Sequence, residues 1–130
     1  MTPKLRSLLF AFASSVAIAF ATLGFAPSAS ATWDQCPSGW FCVWTDADYQ
    51  GRFARFQTGS NNLVVPIGGY VFDNKISSAR NRTNVRFCLY SGYFYGGNVR
   101  SFDPQFTGYY YDNYLDSFND ATSSIKKCAA

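Results

Sequence analysis

Two six-residue segments carry the densest oxygen chemistry in the chain, Asp73-Asn74-Lys75-Ile76-Ser77-Ser78 and Asn119-Asp120-Ala121-Thr122-Ser123-Ser124. Each gathers carboxylate, amide, hydroxyl and backbone carbonyl oxygens within one tight turn, the hard donors that calcium prefers. With one Asp apiece, such turns would hold the ion weakly, toward the extracellular range of about 10⁻⁴ to 10⁻³ M. The other reactive side chains are four cysteines, Cys36, Cys42, Cys88 and Cys128. An even number in a small exported domain reads as two disulfides rather than free thiols or a zinc site. Four cysteines allow three pairings, and the sequence does not choose among them. The short Cys36-Pro37-Ser38-Gly39-Trp40-Phe41-Cys42 segment can close locally around its Pro-Ser-Gly turn, which would leave Cys88 for Cys128. What is missing is equally informative: the chain has no His and no Glu, and its acids are eight Asp. The residues on which serine triads, Cys-His proteases and zinc hydrolases depend are therefore absent. A minimal two-Asp hydrolase is the one enzymatic reading left, and the expectation is that the chain is not an enzyme.

The N-terminal residues read as an export leader. Lys4 and Arg6 give a basic start, residues 8–25 are an apolar run, and Ala29-Ser30-Ala31 is an A-x-A cleavage site. The signal peptide is thus expected over 1–31, with a mature chain beginning at Thr32. A membrane anchor is the alternative, but the run is rich in weakly apolar Ala and Ser and ends in small residues rather than a basic stop. No later stretch is apolar enough to span a bilayer, so no membrane insertion is expected. The remaining residues, 32–130, suffice for one domain. Without Lys4 and Arg6 they hold nine basic residues against eight acidic ones. Such a balance offers no basic stripe with which to neutralise phosphates, and nucleic acid is set aside as a partner.

Shifting the sequence by 46 positions places Phe41 on Phe87, Cys42 on Cys88, Tyr49 on Tyr95, Gly51 on Gly97, Phe56 on Phe102, Phe72 on Phe118, Ser77 on Ser123 and Ser78 on Ser124. Two copies follow, about 36–81 and 82–128. Two units are too few for an open solenoid, so they are expected to pack as a closed pair. Their texture is all-β: short apolar or aromatic runs at 40–44, 52–56, 63–67, 85–90 and 109–111 alternate with Gly, Asn, Asp and Ser clusters. Pro66 implies an edge strand or bulge in its run. Four short strands per copy give an eight-stranded sandwich of two sheets. Most aromatic rings are expected in the core, but strand alternation makes at least one of Tyr109, Tyr110 and Tyr111 face outward, where a partner could touch it.

In each copy an aromatic precedes an aromatic-x-Gly unit, Trp44 before Tyr49-Gln50-Gly51 and Tyr90 before Tyr95-Gly96-Gly97, and a Ser-Ser pair closes the unit. The pattern describes a folded-over hairpin in which Gly takes a conformation that a β-carbon would obstruct, while the second Ser, Ser78 or Ser124, bonds the hairpin backbone. Occurring twice, it resembles the βγ-crystallin Greek-key motif over essentially the whole mature chain. The segment Cys36–Cys42 just upstream looks like that of bacterial peptidase inhibitors with this crystallin fold, which act on metalloproteinases. That resemblance implies a rigid sandwich presenting a loop to an extracellular protease, the matching residues being Asn84, Val85, Arg86 and Phe87. An aliphatic Val after the scissile position would suit thermolysin-like proteases. The inhibitors tie that loop with a short disulfide, whereas here Cys88 has no second Cys within it.

Both hexapeptides also match the microbial βγ-crystallin calcium pattern, [Asn/Asp]-[Asn/Asp]-x-x-[Ser/Thr]-Ser. The resemblance implies ligands from Asp73, Asn74, Lys75 and Ser77 in one turn and Asn119, Asp120, Ala121 and Ser123 in the other. Lys75 would serve through its carbonyl. The two turns are expected side by side, each completing the other's site. The leading expectation is a secreted metalloproteinase inhibitor. A calcium-binding secreted module with a structural or interaction role is the alternative, and a secreted antimicrobial or toxin-like protein is a third class to which no residue points specifically.

Overall fold

The computed structural model describes residues 32–128. The expected leader, with its cleavage site at 29–31, lies outside the described residues, as do Ala129 and Ala130. Eight strands form: β1 (Phe41–Asp46), β2 (Gln50–Phe56), β3 (Gly59–Ser60), β4 (Ser78–Asn81), β5 (Phe87–Tyr90), β6 (Val99–Phe102), β7 (Tyr111–Asp112) and β8 (Ser124–Lys127). They make two four-stranded antiparallel sheets, ordered β2-β1-β4-β7 and β3-β8-β5-β6. Each half therefore lends its third strand to the sheet of the other, the connection of a Greek key, and the sandwich expected from the sequence is the one observed. Because neither sheet is complete without a strand from the other half, the halves interlock. No helix among the described residues is long and apolar enough to cross a membrane.

Inward-facing strand residues and the loop residues Leu63, Phe72, Ile76 and Leu115 together supply the core. From the first half come Phe41, Val43, Leu63, Phe72 and Ile76, and from the second Phe87, Leu89, Phe102, Leu115 and Ile125, all buried between the sheets. Phe41 and Phe87 stack with centroids 4.8 Å apart. The opposite face of β1 is covered too, because Cys42 and Trp44 pack with Cys36 in a second cluster beneath the N-terminal segment. Disulfides join Cys36 to Cys42 and Cys88 to Cys128, the pairing that local closure of the short loop implied.

Both folded hairpins have one construction. Ser78 Oγ donates to Asp46 O at 2.7 Å and accepts Tyr49 N–H at 3.1 Å; Ser124 Oγ donates to Gly92 O at 2.6 Å and accepts Tyr95 N–H at 3.0 Å. Gly51 and Gly97 sit at φ +82° and +77°, where a Cβ would collide with Thr45 Oγ1 and Ser91 Oγ. The expected strand at 63–67 is corrected. Leu63 is buried, but Val64 and Val65 are exposed and the chain only reaches a lone bridge between Ile67 and Tyr70. Asn62 Oδ1 captures the Val64 N–H at 2.9 Å and Pro66 has no N–H to offer, so no ladder forms. Of the run 109–111, only Tyr111 enters a strand.

Candidate functional site

The segment joining β4 to β5 crosses from one sheet to the other, and it is exposed at its tip. Asn84 is exposed and Val85 is 36% exposed. Arg86 is half-buried and pairs with Asp103, its Nη2 and Nε donating to Oδ1 at 2.8 and 3.1 Å. Phe87 departs from the expectation: it opens β5, is fully buried and stacks on Phe41, so it is a core residue and not part of the presented loop. The physical reason is register. Phe87 stands opposite Phe102 and takes the inner face, while the irregular backbone before it lets Val85 face out.

The loop has no disulfide of its own, yet hydrogen bonds brace its backbone on both sides of the tip. Asn81, fully buried, has Nδ2 within reach of three carbonyls, Val85 O at 2.8 Å, Asp103 O at 2.9 Å and Phe102 O at 3.1 Å. Its Oδ1 accepts Thr83 N–H at 2.9 Å and the Thr83 hydroxyl at 2.7 Å, and Thr83 Oγ1 accepts Val85 N–H at 3.2 Å. The Cys36–Cys42 loop grips Arg82: Gly39 N donates to Arg82 O, Arg82 N to Trp40 O and Arg82 Nη1 to Cys36 O, each at 2.9 Å. At the other end Cys128 N donates to Arg86 O at 2.9 Å, and Cys128 is bonded to Cys88. The two disulfides thus stand on either side of the exposed tip. The Asp103 carboxyl is held below the usual carboxylate range, first by the backbone N–H of Tyr109 and then by Arg86.

The two oxygen-rich turns meet at the other end of β4, and each completes a hydrogen bond of its neighbour. Asn74 N donates to Thr122 O at 2.9 Å and Asp120 N to Ile76 O at 3.0 Å. Asp120 Oδ1 lies 3.4 Å from Ser77 Oγ, and Asn74 Oδ1 lies 3.4 Å from Ser123 Oγ. Asn74 and Asp120 both adopt the left-handed conformation, at φ +55° and +56°. Three oxygens here are buried without a hydrogen-bond partner, Asp73 Oδ1, Asn119 Oδ1 and Thr122 Oγ1. Hard, desolvated and reciprocally placed, this donor set fits calcium chemically. Among the described residues no three acidic, His or Cys side chains cluster, so neutral oxygens would dominate the coordination. Lys75 is exposed, and Ala121 is half-buried against the core.

Sequence reasoning missed Asn81, Thr83 and Asp103, which hold the exposed tip. The Asn-x-Thr spacing is an available signal, since Asn and Thr side chains bond backbone two residues on. The reach of Asn81 to β6 and the pairing of Arg86 with Asp103 have no local signal, being set by the neighbouring positions of β5 and β6.

A family model described as peptidase inhibitor family I36 matches residues 29–102, which include the exposed tip and the first disulfide. No curated protein matches the chain. Solved structures that resemble it are βγ-crystallin domains. One comes from a study of the evolution of the eye lens beta-gamma-crystallin domain fold, with TM-score 0.60 and 15% identity over 81% of this chain and 95% of that one. The beta gamma crystallin from Ciona intestinalis gives TM-score 0.57 and 18% identity, covering 69% of this chain and all of that one. A betagamma-crystallin domain from Flavobacterium johnsoniae gives TM-score 0.55 and 25% identity, covering 68% and 93%.

Proposed function

The chain belongs to peptidase inhibitor family I36, and from that premise we propose that it is a secreted inhibitor offering the bond between Asn84 and Val85 to the cleft of a metalloproteinase. The observation that carries this reading is the exposed tip held by a fully buried Asn81 and flanked by two disulfides. A segment already fixed before binding gives up little conformational entropy in the cleft. Were the bond cut, Thr83 and Arg86 would remain pinned and the new ends could not separate, so the cleft would stay occupied. Val85 supplies the apolar side chain that thermolysin-type proteases favour after the scissile position. Hydrogen bonds of the buried Asn81 side-chain amide stand here in place of a loop disulfide. The test is to express the full chain, recover the protein from the medium and titrate it into thermolysin. Loss of proteolysis at or below micromolar inhibitor is expected, and undiminished proteolysis at micromolar inhibitor would overturn the reading.

A second and compatible activity, calcium binding at the paired turns, is favoured by the three partnerless buried oxygens there. Asp73, Asn74, Ser77, Asn119, Asp120 and Ser123 would supply ligands, with the backbone carbonyls of Lys75 and Ala121. The ion would neutralise the facing oxygens and stiffen the start of β4 and β8. At tenfold to hundredfold excess over Kd, such binding stabilises the folded state by about 1.4–2.7 kcal/mol. That raises Tm by roughly 6–20 °C. A melting curve identical in excess chelator and in 10 mM calcium would eliminate it.

A further inference from the structure

Beside the exposed tip the second half extends another loop. The chain leaves β6 at Phe102 and runs from Asp103 to Tyr110 before β7 begins, whereas β2 and β3 of the first half are separated only by Gln57 and Thr58. The loop is locked within itself. Asp103 N donates to Tyr109 O at 2.7 Å, Tyr109 N to Asp103 Oδ2 at 2.8 Å, and Thr107 N to Pro104 O at 3.1 Å. It is also docked on the segment that carries Val85, since Gln105 N donates to Thr83 O at 2.9 Å and Asp103 pairs with Arg86.

At the tip of this loop Phe106 is 75% exposed and takes φ +66°, a region bulky side chains avoid. A lone exposed Phe needs no explanation. This one is held outward by a strained backbone, on a loop present only next to the exposed tip. Its ring leads into further aromatic surface, with Phe106 to Tyr110 at 5.6 Å, Tyr110 to Tyr111 at 4.7 Å, and Tyr111 itself 46% exposed.

The geometry points to Phe106 as a second anchor on the protease, a ring that enters an apolar pocket beside the cleft occupied by Val85. This inference rests on the inhibitory reading of the Asn84–Val85 tip and extends it. Rigid aromatic side chains that need no ordering are the residues that dominate interface energies. The anchor contributes affinity, and Val85 contributes the fit to the cleft.

The test measures Ki against thermolysin for the parent, Val85→Asp, Phe106→Asn and Phe106→Trp, with Tm for each. Asn adopts the left-handed conformation readily, so Phe106→Asn removes the ring without lowering Tm. Its Ki is expected to rise about 30-fold, with Phe106→Trp staying near the parent. If Val85→Asp abolishes inhibition and Phe106→Asn inhibits like the parent, the anchor is overturned and the loop reading stands. Should the parent itself fail to inhibit, the loop reading falls and the anchor falls with it.

Discussion

The two halves are built alike at their folded hairpins and unlike at the end of the sandwich that carries the exposed tip. Leu63 and Leu115 show where they diverge. Both are fully buried, and their N–H groups donate to Ser123 O and Ser77 O, each at 2.9 Å. Yet they stand 52 positions apart where the hairpin residues stand 46 apart. The second half has inserted its extra residues before the leucine, as the loop from Asp103 to Tyr110. The first half has inserted its own afterwards, around the Ile67–Tyr70 bridge. The common period hides two compensating excursions, and only the later one lies against the tip. A second contrast is sharper. Asn81 stands opposite Phe41 and Lys127 opposite Phe87 in matching registers, but Asn81 is fully buried while Lys127 is exposed. Packing symmetry is kept at the hairpins and abandoned at the end that carries the exposed tip.

The largest single effect is expected at a disulfide. Cys88 and Cys128 close a separation of 40 residues, Cys36 and Cys42 one of 6. In the chain-entropy account, replacing the first pair by Ser costs roughly 4 kcal/mol and the second roughly 2.5 kcal/mol. Denaturant midpoints of the two double variants measure this, and equal losses would break the comparison. Next comes Asn81→Ala, which strips hydrogen bonds from three carbonyls and from Thr83 and should cost roughly 3 kcal/mol. Lys127→Ala, at the matching register, should stay within about 0.5 kcal/mol. Asn81→Ala should also raise Ki for thermolysin by more than its loss of folded population explains, because the tip loses its brace. A Ki that follows the folded fraction alone would remove Asn81 from the site.

How far the sequence discloses this architecture follows the same division. The hairpins are legible because Gly51, Gly97, Ser78 and Ser124 answer a local backbone demand, and local demands leave residue types behind. The meeting of the two hexapeptides is legible too, since closed packing of two like units brings equivalent turns together. The boundary at Phe87 is not. Arg86 separates an outward Val85 from an inward Phe87, and a hydrophobic pattern reads both as one strand. The misread strand at 63–67 has a similar origin, an apolar run whose backbone is diverted by one Asn62 side chain. Least legible is the docking of Gln105 on Thr83, which depends on β6 lying beside β5 and on no pattern along the chain.

Smaller and symmetrical effects are expected at the hairpins. Ser78 and Ser124 are both fully buried, and each donates to one carbonyl and accepts one amide. Ser78→Ala and Ser124→Ala should each cost roughly 1–2 kcal/mol, with a difference between them below about 0.5 kcal/mol. Thermal melts of the two variants test this, and a larger gap would show that the hairpins are not energetically equivalent.

The smallest effect separates the halves by pH. Asp103 binds Tyr109 N–H and Arg86, and its carboxyl titrates below the ordinary value of 3.8. A depressed carboxylate contributes stability that is full above that ordinary value and is lost as pH falls through the folded one. The matching residue of the first half is Gln57, which has no charge to lose. Acid should therefore release the loop from Asp103 to Tyr110, and with it the Arg86 side of the exposed tip, while both Ser-closed hairpins persist. The amide proton of Tyr109, followed by NMR, should titrate with a midpoint below 3.8, and those of Tyr49 and Tyr95 should not move with it. A Tyr109 midpoint at or above 3.8 would mean that Asp103 is not what fastens this loop to the tip.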